Sequence, residues 1–589
     1  MRHSFLRMAL SGVMAFMLSA CGGGGGDGGD HPSGPAAIQV VSGDAQTGVV
    51  GTELPAALTV RVTDSTARPS VGTTVTWSTA SGTGTVTPAT GTTDDNGTTS
   101  ARWTLGTTAG AQRVSATVAG IPAAQFTATA TAGAVSAVAV TSPSMQPYEG
   151  DSVQLVATVR DEFGNVVPGA VLTWSSDDPE RFPVSASGRL NTWGTGPVTV
   201  TAAIDGIDGS VQLSVVPIQV AVTFGARQVV FDWTTDRCEE LDLPDLPTRM
   251  VRAENGSLVY FAGNAPRFYA SRGADFDSLR RDCSQPVLVS ADRRTPDSYE
   301  NWEWIWTVYR IGSTWHALVH NEYHDTFAAT CDPGNPSPSN PCWYNSVTHA
   351  VSTDGGHTFT KPLAPAHVIA PALEVWTPPP VQPTRRFFIG YAGGPVIRHA
   401  DGYYYALVAL NADATGPTYN HVCAIRTTNL DDPMSWRAWD GHDFTLSMES
   451  PYVTGRPGTA CPSLLHMTSY ASLTYSTYLQ RYVGLGNTYT YIDGRAVCGF
   501  YMQLSSDMVH WSREILVAEA ILQGCPADPN APGVLEPVEV IFPTFIDHAD
   551  TSANFENIGR TPHLYYVRIN VAPLDRDVVR VPLTITRTN

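Results

Sequence analysis

The feature that most restricts the fold is a pair of apolar runs meeting at a short turn between residues 304 and 325. The runs read IWTVYRI and TWHALVHNEYHD, and Gly312-Ser313 separates them. Bulky and polar residues alternate along both runs, a period of two that places successive side chains on opposite faces of a strand. Two such runs joined by a tight turn predict an antiparallel hairpin. We therefore expect an all-β chain.

A third run follows this hairpin and ends in a polar turn. It reads NSVTHAVSTDGGHTFTK, with Ser352, Asp354, Gly356, Thr358 and Phe359 at fixed spacing. The string resembles the Asp box, a turn motif of sialidase-type and related β-propellers. The resemblance implies that Asp354 accepts backbone N–H groups, that Gly356 takes a positive φ and that Phe359 packs between strands. The motif favours a propeller and indicates no chemistry.

Paired strands of this kind recur about five times between residues 218 and 589, roughly seventy residues apart. They read RMVRAENGSLVYFAGN, WIWTVYRIGSTWHALVHNE, GPVIRHADGYYYALVALN, SLTYSTYLQRYVGLGN and TFIDHADTSANF with HLYYVRIN. We predict a five-bladed β-propeller, leaving open a sixth blade in 218–250. With GFYMQLSSDMVHW, the region resembles the arabinanase/fructosidase/sialidase superfold. Arabinanase-type enzymes carry an Asp base on the first inner strand, where this chain has Arg252, Ala253 and Glu254.

Two modules precede the propeller. Residues 36–132 and 133–217 are rich in short alternating runs separated by turn signals, a pattern typical of β-sandwiches. The phrases GDAQTGVVGTELPAALTVRVTD and TDDNGTTSARWTLG resemble invasin/intimin-type bacterial Ig-like domains, and the second module resembles the BIG2 type. Trp77 and Trp174 are expected to pack across the two cores. We interpret both modules as spacers, with adhesion as the alternative.

The N-terminus indicates export. Residues 1–21 combine Arg2 and Arg7 with a short apolar run, as in a signal peptide. The sequence Leu18-Ser19-Ala20-Cys21 resembles a bacterial lipobox, which implies lipidation of Cys21 and sorting to the outer membrane or cell surface of a Gram-negative bacterium. An ordinary secretory signal is the alternative. Residues 22–35 form a glycine-rich linker.

Eight further cysteines agree with export, because disulfides form in oxidising compartments. We predict four disulfides, of which spacing indicates one pair, Cys331–Cys342; a structural metal is the minor alternative. The eight are Cys238, Cys283, Cys331, Cys342, Cys423, Cys461, Cys498 and Cys525. The net charge of −19 argues against nucleic acid as a partner. We expect a glycan partner, a monomer, no cofactor, and membrane attachment only through Cys21; a structural calcium ion is left open.

Propeller geometry predicts where chemistry would take place. The first strand of each blade begins, and the second ends, at one mouth of the central channel, where polar and aromatic side chains can hold a sugar. Candidate catalytic carboxylates are Glu322, Glu303, Glu536 and Asp325, with Glu322 as general acid tuned by His320 or His324. Candidate substrate-binding residues are Arg252, Asn321, His324, Trp304 and Trp343. Asp232 and Asp236 are weaker candidates.

These features favour a surface-tethered glycoside hydrolase acting on polysaccharide. The alternative is a non-catalytic glycan-binding or adhesive lipoprotein, and a lyase working through Tyr323 or His324 is a third hypothesis. The sequence has no convincing phosphate-binding loop, GxSxG or HExxH motif, which argues against ATP-driven, serine-hydrolase and zincin chemistry.

Overall fold

The regular secondary structure of the described residues is almost entirely β-strand. The computed structural model describes residues 34–291, 293, 295–324, 343–376, 388–392, 395–412, 419–464, 468–492, 494–525, 533–570 and 574–589. None of the helices in these ranges is long and apolar enough to span a membrane. The predicted leader, Cys21 and most of the linker lie outside the described residues. Contacts divide the chain into two units, one comprising Met1–Ala139, Ala157–Leu172 and Ala203–Gly209, the other Val140–Val156, Thr173–Ala202 and Ser210–Asn589.

Alternating burial builds a first β-sandwich. Its strands are β1 (Pro35–Ser42), β2 (Gln46–Val49), β3 (Leu58–Asp64), β4 (Thr74–Thr79), β5 (Thr85–Thr87), β6 (Thr90–Thr92), β7 (Thr98–Thr104), β8 (Gly110–Thr117) and β9 (Ala124–Thr131). They form two sheets, ordered β1-β3-β7-β5 and β2-β9-β8-β4-β6. In β9 every second side chain is buried. Trp77 is buried in the core with Trp103 and Phe126, as the sequence predicted.

Seven further strands precede the propeller. They are β10 (Val135–Thr141), β11 (Ser152–Gln154), β12 (Val156–Asp161), β13 (Thr173–Ser176), β14 (Arg189–Asn191), β15 (Gly196–Ile204) and β16 (Ile207–Val215). An apolar cluster in the second unit includes Val153, Phe182 and Val200, and the partly buried Trp174 packs against it. The expected place of Trp174 beside this core is therefore confirmed.

In the rest of the chain, the described residues form the propeller strands and two single-turn helices. They are β17 (Val220–Phe224), β18 (Gln228–Phe231), α1 (Trp233–Asp236), β19 (Arg249–Arg252), β20 (Leu258–Phe261), β21 (Arg267–Phe268), β22 (Ala270–Gly273), β23 (Arg280–Arg281), β24 (Leu288–Val289), β25 (Trp302–Ile311), β26 (Thr314–His324), β27 (Trp343–Ser352), β28 (Val368–Ala370), β29 (Phe388–Ala392), β30 (Val396–Arg398), β31 (Tyr404–Ala412), β32 (Tyr419–Thr427), β33 (Arg437–Trp439), β34 (Phe444–Ser447), α2 (Pro451–Thr454), β35 (Thr468–Ser476), β36 (Arg481–Ile492), β37 (Arg495–Ser505), β38 (Ile515–Ile521), β39 (Val534–Ile546), β40 (Asn557–Ile558), β41 (His563–Ile569) and β42 (Arg576–Arg587). Short 3₁₀ turns lie at Pro296–Ser298 and Pro433–Ser435.

Strand pairing arranges these elements as five blades. In order from the inner strand outward they are β19-β20-β22-β23, β25-β26-β27-β28, β29 and β30 followed by β31-β32-β33, β35-β36-β37-β38, and β39-β41-β42-β18. The predicted hairpin is β25–β26, closed by the pairing of Ile311 with Thr314. The sequence prediction of a five-bladed propeller is confirmed.

Five apolar clusters, one at each junction between neighbouring blades, close the ring. The cluster around Trp315 joins blades one and two, and the cluster around Tyr566 joins blades four and five. The remaining clusters join blades two and three, three and four, and five and one. Strands β17 and β18 pair with β42, so residues 220–231 complete the fifth blade. This pairing excludes the sixth blade that the sequence left open for that segment.

The Asp box forms the predicted turn. Asp354 Oδ1 accepts hydrogen bonds from the backbone N–H groups of His357 (2.9 Å) and Thr358 (3.0 Å). Burial raises the pKa of Asp354, but these and other hydrogen bonds outweigh it and lower the pKa to about 2. Gly356 has φ 77°. Phe359 is buried between blades one and two, so the motif stabilises the fold as expected.

Among the residues that the structure describes, three disulfides lie in the propeller. They join Cys238 to Cys283, Cys423 to Cys461 and Cys498 to Cys525, with Cα–Cα separations of 5.3, 5.9 and 6.0 Å. These are three of the four predicted bonds, with the pairings that the sequence had left open. The predicted fourth bond, between residues 331 and 342, lies outside the described residues.

Candidate functional site

The mouth end of the propeller is the end at which first strands begin and second strands finish. In blade two, Trp302 at the start of β25 pairs with Glu322 near the end of β26. First strands from all five blades line one axial cavity, which places them around the central channel as expected. Side chains at the mouth end are therefore the candidates for a ligand site.

Glu322 and His320 form the polar core of the mouth in blade two. His320 Nε2 lies 3.1 Å from Glu322 Oε1. The two residues are two positions apart on β26, so both side chains project from the same face. The His320 side chain is 4% exposed and that of Glu322 is 13% exposed. The ring of Trp304 packs edge-on against His320 at 4.9 Å, which restricts the imidazole orientation.

Asp245 joins this cluster from blade one. It lies in the loop LPDLPT just before β19 and forms an ion pair with Arg576, the first residue of β42. Burial raises the pKa of Asp245, Arg576 opposes that rise, and the nearby Glu322 carboxylate adds to it. His320 also acts on Asp245 electrostatically. Two carboxylates on different blades thus interact at the mouth, with a guanidinium and an imidazole beside them.

Asp245 and Arg576 were not among the sequence-based candidates. The arabinanase-type resemblance indicated a carboxylate at residues 252–254, whereas the carboxylate of Asp245 lies before β19 begins. A carboxylate bracketed by two prolines just before an inner strand is a usable signal, because the prolines hold the loop in an extended conformation. Its partner Arg576 is 331 residues away in the sequence, and only the closed ring brings them together.

Glu303 does not share the face of Glu322. It pairs across the strands with Asn321, so its side chain lies on the opposite side of the blade from Glu322. Glu303 is fully buried and forms an ion pair with Lys361. Burial raises the pKa of Glu303 and Lys361 opposes that rise. The expectation that Glu303 is the partner carboxylate across the blade is therefore wrong, because strand alternation separates the two acids.

Asn321 is also turned into the protein. Its Oδ1 accepts the backbone N–H of Asn301 at 2.9 Å, and its Nδ2 donates to Ser346 Oγ at 3.1 Å. The side chain is fully buried. These contacts connect β26 to β27 and to the chain entering β25, which is a positioning role.

Glu536 is held within blade five. Tyr566 donates its hydroxyl hydrogen to Glu536 Oε1 at 2.7 Å, and Arg227 lies 3.4 Å from Oε2. The residue is 4% exposed. Both carboxylate oxygens thus have protein partners, and Glu536 stabilises the junction of β39 with β41.

Arg252 lies at the other end of the blade from the mouth. It is the last residue of β19 and pairs with Leu258 beside the hairpin turn. Its guanidinium donates to the Asp550 carbonyl at 3.0 Å and lies over the Phe555 ring. Arg252 is therefore not at the mouth, where a substrate-binding residue was expected, because β19 begins at Arg249 and ends at Arg252.

The remaining sequence-based candidates have other surroundings. Trp304 is 5% exposed and belongs to the cluster between blades one and two. Asp232 caps α1 by accepting the Thr234 N–H, and Asp236 accepts the Asp232 N–H. His324 and Trp343 end β26 and begin β27 at the mouth end, but their side chains lie outside the described part. Asp325 is likewise outside the described residues.

An aromatic pair extends the mouth in blade four. Strand β36 continues to Ile492, five residues beyond Asn487, where the sequence placed its end. Tyr489 and Tyr491 lie on one face of this extension and are 55% and 71% exposed. The hairpin is braced by Cys498–Cys525 and by Arg495, which donates to both oxygens of Glu519 at 2.7 and 3.0 Å. The alternation in NTYTYI was the available signal.

The solved structures to which the chain is similar include bacterial adhesins and glycoside hydrolases. The adhesin FdeC of Escherichia coli is 17% identical, covers 55% of this chain and 95% of its own, and has a TM-score of 0.25. The endo-arabinase of Bacteroides thetaiotaomicron is 9% identical, with coverage of 62% and 99% and a TM-score of 0.32. The xylan β-1,4-xylosidase of Bacillus halodurans is 7% identical, with coverage of 60% and 54% and a TM-score of 0.34. Similarity at this level assigns no activity.

No protein-family profile matches the sequence, and no curated protein matches it.

Proposed function

We propose that the propeller is a glycoside hydrolase whose reacting carboxylates are Asp245 and Glu322. The observation that carries this proposal is the electrostatic interaction of these two acids at the channel mouth, where they come from different blades. A pair of carboxylates flanking one bond is the usual machinery for cleaving a glycosidic linkage. The negative charge of Glu322 contributes to the raised pKa of Asp245.

The surroundings of the two acids favour distinct roles. The ion pair with Arg576 favours the ionised form of Asp245, as a base or nucleophile requires, and it opposes the rise in pKa that burial causes. Asp245 is therefore the proposed base or nucleophile. Glu322, oriented by the Nε2 atom of His320, is the proposed general acid that protonates the leaving oxygen. His320 and Arg576 act as positioning residues for the two carboxylates.

The aromatic pair Tyr489 and Tyr491 supports a polymeric sugar as the substrate. The flat faces of exposed tyrosines suit the apolar faces of sugar rings. Both stand on a braced hairpin at the mouth end. This surface also suits the second candidate function, a glycan-binding protein without hydrolysis.

The experiment is release of reducing ends from a panel of neutral and acidic polysaccharides by the full chain. Asp245→Asn and Glu322→Gln are tested beside Glu254→Gln, a control whose side chain is 64% exposed. We expect release by the wild type and the control, and loss in both site variants. Tight glycan binding with no release by any form would favour the binding function instead.

A second experiment distinguishes the acid role of Glu322 from the base or nucleophile role of Asp245. If Glu322 is the acid, Glu322→Gln retains activity on aryl glycosides whose leaving groups need no protonation. If Asp245 is the base or nucleophile, Asp245→Gly regains turnover when azide is added and yields a glycosyl azide. The opposite pattern would exchange the two roles.

We further propose that Cys21 is lipidated, that residues 36–132 and 133–217 act as spacers, and that the protein is an exported monomer. The three disulfides support export to an oxidising compartment. Incorporation of labelled palmitate, abolished by Cys21→Ala, would test the anchor. Retained labelling in that variant would refute it.

A further inference from the structure

A small cavity lies on the propeller axis, where the inner strands of the five blades meet. Strands β19, β25, β30, β35 and β39 all contribute to its wall. Its volume is about 20 Å³. A cavity of this size holds one water molecule or one monatomic ion, because a single water needs at least about 10–15 Å³.

The wall of this cavity is rich in hydrogen-bond donors. Arg249 lines it together with Thr307, Thr474 and Thr544, which come from three other blades. Arg249 Nη1 lies 3.1 Å from the Thr248 carbonyl oxygen and 3.4 Å from Thr544 Oγ1. A threonine hydroxyl that accepts from arginine still has its own hydrogen to donate.

Several of these donors have no acceptor among the described residues. Arg249 Nε and Nη2 are buried and unpartnered within the described part of the chain. Thr474 is 4% exposed, and its Oγ1 is unpartnered in the same sense. Buried polar groups are nearly always hydrogen-bonded, so unpaired donors around one cavity indicate an absent acceptor.

The charge of Arg249 is also uncompensated. Burial lowers the pKa of Arg249 to about 9, and no carboxylate in the described ranges opposes that effect. The guanidinium therefore remains protonated at neutral pH. Glu556 lines the cavity too, but its oxygens accept the Arg398 N–H at 2.7 Å and the Tyr309 hydroxyl at 3.2 Å. Burial raises the pKa of Glu556, which weakens it as a source of negative charge.

We propose that this axial cavity binds a single monatomic anion of the chloride class, held by Arg249 and by threonine hydroxyls including Thr474. A buried cation needs a counter-charge, and an anion supplies both that charge and the acceptor that the donors lack. Phosphate, sulfate and carboxylate are too large for the volume. Water would satisfy some donors but would leave the charge unbalanced.

The site does not depend on the proposed hydrolase activity. Arg249 begins β19, four residues after Asp245, so the anion would fix the start of this strand on the axis. It joins first strands from several blades, and its expected effect is on the stability of the ring. Failure of the anion proposal would leave the assignment of Asp245 and Glu322 unchanged.

The test is anomalous diffraction from crystals of the full chain grown in sodium bromide. We expect one bromide peak in the axial cavity, within hydrogen-bonding distance of Arg249, and no peak there in Arg249→Met. Arg560→Met, at an exposed arginine of the propeller, should retain the peak. Featureless anomalous density with an ordered water in the wild-type cavity would overturn the proposal, as would a peak that persists in Arg249→Met.

A solution measurement covers the case in which Arg249→Met fails to fold. The midpoint of thermal unfolding of the wild type is compared in sodium chloride, sodium bromide and sodium gluconate at equal ionic strength. Ligands that bind the native state raise this midpoint, and we expect a rise of about 2 °C or more in either halide. Equal midpoints in all three salts at halide concentrations up to molar would refute the site.

Discussion

Replacing the Asp-box glycine Gly356 with alanine tests whether the close approach of Gly356 to the Trp315 ring contributes to the stability of the propeller. Gly356 has φ 77°, and a Cβ built there would lie 2.8 Å from the ring of Trp315. Trp315 is 1% exposed in the cluster between blades one and two, so the ring has little room to move. An alanine at positive φ costs about 1 kcal/mol, and overpacking a full core costs a further 1–3 kcal/mol, roughly. We expect Gly356→Ala to reduce the free energy of unfolding by about 2–4 kcal/mol.

The neighbouring glycine is the matched control. Gly355 has φ 75°, and the nearest atom to its added Cβ is His357 Cδ2 at 4.0 Å. Gly355→Ala therefore incurs the backbone strain without the clash, at about 1 kcal/mol. Equilibrium unfolding in urea, followed by tryptophan fluorescence, measures both variants. Equal losses for the two alanines would show that the close approach of Gly356 to Trp315 is not a determinant of stability.

Three further predictions follow from individual contacts. The pKa of Asp354 falls from 3.8 to about 2 on folding, so its stabilising effect is present above pH 4 and disappears as the pH falls towards 2. Asp354→Asn should therefore flatten the plot of unfolding free energy against pH in this range. An unchanged slope in that plot would contradict the role given to Asp354. Glu303→Gln leaves the buried Lys361 without its counter-charge and should reduce the free energy of unfolding in urea by about 3–5 kcal/mol. Adding Lys361→Met should recover part of this loss. A double variant no more stable than Glu303→Gln alone would argue against the ion pair. Replacing Tyr489 and Tyr491 with alanine should raise KM for a polysaccharide about tenfold and leave kcat unchanged. The KM for an aryl monosaccharide should also stay unchanged. Equal effects on both substrates would show that the tyrosines do not bind the polymer.

Local patterns predicted much of the fold. The alternation around Gly312 identified the β25–β26 hairpin, and the spacing from Ser352 to Phe359 identified the turn after β27. Both depend on residues close together in the sequence, where backbone preference and side-chain alternation act directly. The order of blades followed from repetition of the same local pattern.

The candidate site was harder to predict because it depends on register and ring closure. Glu303 and Glu322 both belong to the polar ends of one hairpin, but a difference of one position in the pairing places them on opposite faces of the blade. Asp245 lies in a loop without periodicity, and its contact with Arg576 exists only because the last blade returns to the first. No local pattern reports such a contact.

The most direct measurement of the central claim is a double-mutant cycle on Asp245 and Glu322. kcat/KM is measured for the wild type, Asp245→Asn, Glu322→Gln and the double variant, on the best polysaccharide from the panel. Groups that act as one unit give strongly non-additive losses. We predict that each single variant loses about 10²–10⁴-fold and that the double variant loses little more than the worse single one. Additive losses, or wild-type turnover in either single variant, would contradict the assignment of these two acids as the reacting pair.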